Sequence, residues 1–214
     1  EDVAFYAVVN HDFESSSRSY FIGFGQQTIG TNARRPSFGV YKGGSNNVDG
    51  LGRIGSSGLT NSPSRLFNTG ATTIAGYHWK VGTNVTFEFD GGHSETVNHK
   101  YTNVLMNGPG MLGLGSSSKS YTLKGMMPEV ILYEGALTAN EKSRINSYLG
   151  IKYAITIKLG TFGSENFNYL LSDNTSIWNG NDASHRNFHH NVASVVRDDD
   201  ADLYNYQSKS TDLG

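Results

Sequence analysis

The chain has 214 residues, 36% hydrophobic and only 17% charged, with a formal net charge of −2. That balance, with 12 Tyr, 11 Phe and 2 Trp, excludes a disordered segment, and the lack of a basic stripe argues against nucleic acid as a partner. No apolar run approaches the roughly 20 residues of a membrane-spanning helix, and the absence of cysteine rules out disulfides and thiolate metal sites.

In chain order, β-rich apolar runs alternate with Gly, Ser and Asn clusters. The chain opens directly on a strand-like run, Val3–Val9, and reads as a mature product or an excised piece of something longer. Further strands are expected at Tyr20–Gly25, Ser37–Tyr41, Asn84–Asp90, Met111–Gly115 and Glu129–Tyr133, a spacing that favours a sandwich or barrel. Asn84–Asp90 alternates, with Val85, Phe87 and Phe89 on one face and Thr86, Glu88 and Asp90 on the other; Asp90-Gly91-Gly92 then supplies a turn. Gly43–Ser64 reads as long loops around one short strand, where binding function usually sits.

One helix is expected, Thr138–Tyr153. Thr138 and Glu141 have the spacing of a capping box. Ile145, Tyr148, Leu149 and Tyr153 follow at helical spacing, and Lys142, Ser143, Asn146 and Ser147 are expected to face water. Gly150 inside this pattern costs about 1 kcal/mol relative to Ala and points to close packing against the sheet. Ile155-Thr156-Ile157 reads as a strand resuming. From Lys158 the texture changes to Asn, Asp, Ser and His clusters with short apolar pieces at Tyr169–Leu171 and Val192–Val196. The expected division is a sandwich over 1–157 and a β-rich extension over 158–214, either further strands or the start of a neighbouring unit.

Pro128–Tyr133, Ala136-Leu137-Thr138, Glu141, Tyr148-Leu149 and Lys152–Ile155 together resemble the last strand and following helix of concanavalin A-like, laminin-G-like jelly-roll domains in large bacterial surface and secreted proteins. Gly135 and Ala154 stand where Arg and Gly are frequent in that family. Val3–Val9 and Tyr20–Gly25 extend the likeness backwards. Asn168–Asp173, Ile177-Trp178, His190–Ala193, Val196–Asp199 and Gln207–Ser210 resemble an extension that often follows such domains. The resemblance implies an all-β, two-sheet antiparallel jelly-roll sandwich with one short helix near residues 138–153. It leaves activity open, since this fold carries lectins, hydrolases and spacers alike.

Three sets of residues carry candidate chemistry. Glu88-Phe89-Asp90 is the nearest approach to the E-x-D-x-x-E strand of laminarinase-like glucanases, but the second Glu is missing; a solvated strand face before a turn is the plainer reading. Asp198, Asp199, Asp200 and Asp202 form the densest acidic run and are candidate Ca²⁺ ligands with help from loop carbonyls, although the EF-hand pattern is absent. His185, His189 and His190 lie close enough for a metal pair only on a helix, which the surrounding Asn and Asp residues disfavour. Tyr77, Trp79 and Tyr101, with Tyr41 and Trp178 behind them, are candidate sugar-stacking aromatics near loop sequences; the competing reading is that these rings fill the core.

The expected function is a non-catalytic module of a bacterial surface or secreted protein, serving adhesion, glycan binding or structural assembly. Its partner would be a glycan, or a neighbouring surface-protein subunit joined through strands of the C-terminal part. The alternative is a glycoside hydrolase or lyase of the same fold.

Overall fold

The structure, a computed structural model, describes residues 2–11, 18–24, 33–34, 37–42, 50–54, 60–61, 70–98, 103–104, 110–113, 122–157, 168–186, 188 and 192–209. They form two compact units. The first comprises residues 1–87 and 95–136; the second comprises 88–94 and 137–214.

Twelve strands precede the first helix in the described residues: β1 Val3–His11, β2 Arg18–Phe24, β3 Ala33–Arg34, β4 Ser37–Lys42, β5 Gly50–Ile54, β6 Thr60–Asn61, β7 Thr72–Lys80, β8 Asn84–Phe89, β9 His93–Asn98, β10 Asn103–Val104, β11 Gly110–Leu112 and β12 Gly125–Glu134. Two five-stranded sheets, ordered β12-β1-β7-β8-β9 and β11-β2-β4-β5-β6, make an antiparallel two-sheet sandwich. β3 and β10 form a small parallel pair.

Alternation explains the core of the first unit. Phe5 on β1 lies opposite Tyr77 on β7, and both point across to the other sheet. Phe5 stacks on Phe38 of β4 with ring centroids 5.0 Å apart, and Tyr77 meets Phe21, Phe38 and Phe87 at 5.5–6.3 Å. Each such ring removes about 150–250 Å² from water. The Tyr77 hydroxyl donates to the Gly39 carbonyl at 2.6 Å, so the one polar atom of the cluster is satisfied, and burial pushes its phenol upward from the ordinary value.

His11, at the end of β1, is also buried, and desolvation lowers its imidazole to about 4. An unfolded His titrates near 6.5, so between about pH 6.5 and pH 4 the unfolded chain binds the extra proton. The contribution is fully present above pH 6.5 and falls by about 2–3 kcal/mol as pH drops to about 4. Urea midpoints at pH 7 and pH 4.5 are expected to differ less in a His11→Gln variant than in the parent chain.

The second unit contains α1 Ala139–Tyr153, β13 Tyr169–Leu170, β14 Ser176–Trp178, α2 Ala183–Arg186, β15 Ala193–Asp198 and β16 Leu203–Lys209. β13 pairs with β14 and β15 with β16, each antiparallel. Residues 88–94, the turn of the β8–β9 hairpin, group with this unit. Its core gathers Ile151, Ile157, Tyr169, Val192 and Leu203, with Tyr148, Trp178, Val196 and Ala201 packed against them. Because α1 and Ile157 supply this core, the observed boundary falls before the helix, at 136/137, rather than at the 157/158 expected from the change in composition.

The capping box of α1 is present. The Glu141 amide donates to the Thr138 hydroxyl at 3.3 Å, and the Thr138 amide and hydroxyl both donate to the Glu141 carboxylate at 2.7 Å. These two bonds hold the Glu141 carboxyl below its usual range. Ile145 and Leu149 are buried as the spacing predicts. Asn146 and Ser147, however, do not face water: both are buried. Ser147 Oγ donates to the Ser143 carbonyl at 2.7 Å and accepts from the Leu170 amide at 2.9 Å, so it caps the edge of β13. Gly150 packs on the returning chain: a Cβ there would lie 2.9 Å from the Ile155 carbonyl oxygen and 3.3 Å from the Tyr169 ring. Ile155–Ile157 belongs to no strand; the Ile155 amide instead closes the helix on the Gly150 carbonyl at 2.9 Å.

Ala154 ends α1 in the left-handed region, at φ 54° and ψ 45°, where glycine is the usual occupant because a Cβ is strained there. Ala154→Gly is expected to stabilise the second unit by about 1 kcal/mol, read as a rise in its urea midpoint.

Candidate functional site

The aromatics marked by sequence fall mostly in the core. Tyr77 and Trp79 lie on the central strand β7 and are buried, so neither offers a ring face to a sugar; this corrects their expected position near loops. Tyr101 lies outside the described residues. Tyr41 is on β4. Trp178, on β14, is half-buried and has the His185 ring against it, centroids 4.9 Å apart. His185 Nδ1 sits 2.8 Å from the Asn179 carbonyl oxygen; His189 and His190 are outside the described residues.

The glucanase-like carboxylates are not on a solvated face. Glu88 is 7% exposed and Asp90 2%. Asn146 Nδ2 donates to Glu88 Oε1 and, at 3.0 Å, to the Lys142 carbonyl. Asp90 and Gly91 form the hairpin turn with φ of 48° and 71°, and the Gly92 amide donates to the Phe89 carbonyl at 3.3 Å. The absence of a side chain at Gly91 lets the turn sit on α1: a Cβ there would be 3.2 Å from the Asn146 side chain and 2.9 Å from Ile157 Cγ2. Glu88 is thus a structural acceptor for the helix.

The acidic run is taken apart by the β15–β16 turn. Asp198 faces inward and accepts the Ser172 amide and hydroxyl at 2.7 and 2.6 Å, while Arg144 Nη1 donates to the Ser172 carbonyl at 2.7 Å. Asp199 faces outward and accepts from Arg197 Nε at 2.7 Å; the bonds from Arg197 and Tyr204 hold its carboxyl below the usual range. Among the described residues no three His, Cys, Asp or Glu side chains gather as a metal site would need. As placed, the four aspartates do not fit a shared Ca²⁺ shell.

Two surfaces of the second unit remain. One is an open groove of about 400 Å³ between β14 and β15, lined by Ile151, Tyr169, Ile177, Trp178, Phe188 and Val192–Val196 with Thr156. It carries no charged lining and so offers burial without acid or base. The other is the outward face of the β15–β16 hairpin. Val195 and Arg197 on β15 and Tyr204 and Tyr206 on β16 are all exposed, Tyr206 at 88%. Arg197 lies directly opposite Tyr204 in the register, with its guanidinium carbon 5.8 Å from that ring's centroid. In the sequence this face is marked only by the spacing of two between Tyr204 and Tyr206, which follow directly on the acidic run.

Residues 141–214 match a domain family of unknown function, DUF8202. No curated protein matches the chain. Among solved structures, a heptameric SAP-like pentraxin from Limulus polyphemus is similar at TM-score 0.52 and 11% identity, over 82% of this chain and 78% of that one. The CBM40 of a Ruminococcus gnavus IT-sialidase, bound to α2,3-sialyllactose, has TM-score 0.48 and 12% identity over 64% of this chain and 78% of that one. Domain 4 of AbnA, an extracellular GH43 arabinanase from Geobacillus stearothermophilus in complex with arabinotriose, has TM-score 0.43 and 17% identity over 66% of this chain. The chain spans 63% of that domain's length. At 11% identity the likeness to the pentraxin is one of fold, and it agrees with the two-sheet sandwich. No helix among the described residues is long and apolar enough to cross a membrane.

Proposed function

We propose that this chain is a non-catalytic glycan-binding module of a bacterial surface or secreted protein, serving adhesion. The observation that carries the non-catalytic half is the burial of Glu88 and Asp90. A retaining glycosidase needs two carboxyls about 5–5.5 Å apart and open to substrate, whereas Glu88 is enclosed and bonded to Asn146. The binding half is supported by the jelly-roll architecture and by aromatic side chains held out to solvent in the second unit, since ring faces suit the C–H faces of sugars. Surface or secreted placement and the bacterial setting rest on the family resemblance of Pro128–Ile155. Presenting the folded chain to immobilised glycans while assaying the supernatant for new reducing ends tests both halves. Retention without product is expected; product formation that disappears in Glu88→Gln would replace this reading with the hydrolase.

A further inference from the structure

We infer that the outward face of the β15–β16 hairpin is the glycan-contact surface and that its ligand is a neutral oligosaccharide. This rests on the reading of the chain as a glycan-binding module and names the place.

Alternation puts Tyr204 and Tyr206 on the same side of β16, about 6.5–7 Å apart along the strand, and the register places Arg197 directly opposite Tyr204. Tyr206 is 88% exposed, against 51% for Tyr204. An exposed aromatic ring on a rigid sheet is a stacking platform that costs little side-chain entropy, because only two torsions are fixed on binding. Its neighbour is held: Asp199 is bound by Arg197 Nε at 2.7 Å, and the Arg197 guanidinium lies over the Tyr204 ring. A sugar laid on Tyr206 would therefore meet fixed guanidinium donors and carboxylate acceptors, the pairing that hydroxyl groups need.

The charge on this rim selects the ligand class. Arg197 is matched by Asp199, and Asp200 and Asp202 are exposed in the adjoining turn. The surroundings are net acidic, so uronate- or sialate-containing chains and nucleic acid are repelled. The patch also differs from a protein-docking face. Its aromatic residues, Tyr204 and Tyr206, carry polar tips.

The test is affinity electrophoresis of the full chain in native gels cast with soluble β-glucan, arabinan or xyloglucan, and with polygalacturonate as the acidic control. Retardation by at least one neutral polymer and none by polygalacturonate is expected. Tyr206→Ala is expected to weaken the interaction at least tenfold, while Tyr206→Phe and Tyr206→Trp, which keep a stacking ring, stay within about threefold of the parent chain. Because Tyr206 is exposed, these variants are expected to keep the parent melting temperature. If Tyr206→Ala binds a neutral polymer as the parent does, this site is wrong while the glycan-binding reading stands. If the folded parent binds no polymer, both fall. A concentration-dependent dimer that is lost in Tyr206→Ala would make this face a contact between copies and overturn the proposal.

Discussion

Asp198→Ala is expected to destabilise the second unit by about 3 kcal/mol. Asp198 is buried and accepts two short bonds from Ser172, one from the amide and one from the hydroxyl. Hydrogen bonds to a charged group contribute about 1.5–3 kcal/mol each, and removing the acceptor leaves the donors unmet. The same residue, Ser172, also receives Arg144 of α1 on its carbonyl, so the loss spreads to the helix contact. Hydrogen exchange of the β13 and β15 amides reads the effect locally. Asp199→Ala, at the exposed neighbour, is expected to change stability by less than about 0.5 kcal/mol. Equal effects of the two substitutions would contradict the inward and outward assignment of these carboxylates.

Asn146→Ala is expected to cost about 2–3 kcal/mol, because it withdraws the amide donor from a buried carboxylate, Glu88, and leaves that charge less well compensated. Asn146→Asp is expected to be worse still at pH 7, where two carboxylates would face each other. Urea midpoints for both variants at pH 7 check the order. A catalytic Glu88 would predict the opposite pattern: loss of Asn146 would leave stability nearly unchanged and alter an activity instead.

What could be read from sequence was local. The capping box of α1 rests on residues three apart, and the alternation of Val85, Phe87 and Phe89 rests on a period of two; both signals are complete within a few residues. Val3–Val9, Ser37–Tyr41 and Glu129–Tyr133 were legible for the same reason. β7, the central strand beside β1, is harder to read because Ile74 interrupts the alternation of Ala75, Tyr77 and Trp79 and Gly76 weakens the strand propensity. Asn146 and Ser147 lie on the buried side of the helix, against their polarity. Their burial is made acceptable by partners 58 and 23 residues away, Glu88 and Leu170, and no window along the chain contains such a pair. The acidic run misled for a related reason. Four aspartates within five positions suggest a common ligand, yet the end of β15 turns Asp198 towards Ser172 and leaves Asp199 on the side of Arg197.

The aromatic residues make the same point about function. Composition gives their number but not which ones stay in water. The core took Tyr77 and Trp79, and His185 lies against Trp178. Tyr204 and Tyr206 are left outside because β16 turns its Leu203 and Asn205 positions inward, the latter donating to the Ile151 carbonyl at 2.9 Å.

A chain that binds glycan without cleaving it is retained, in its folded full-length form, on the neutral members of an array of neutral and acidic glycans, with no change in the mass of the retained sugars over prolonged incubation. Silence across the array from a chain whose melting transition is intact would contradict it, and so would shortening of a bound glycan that stops when Glu88 is replaced by Gln.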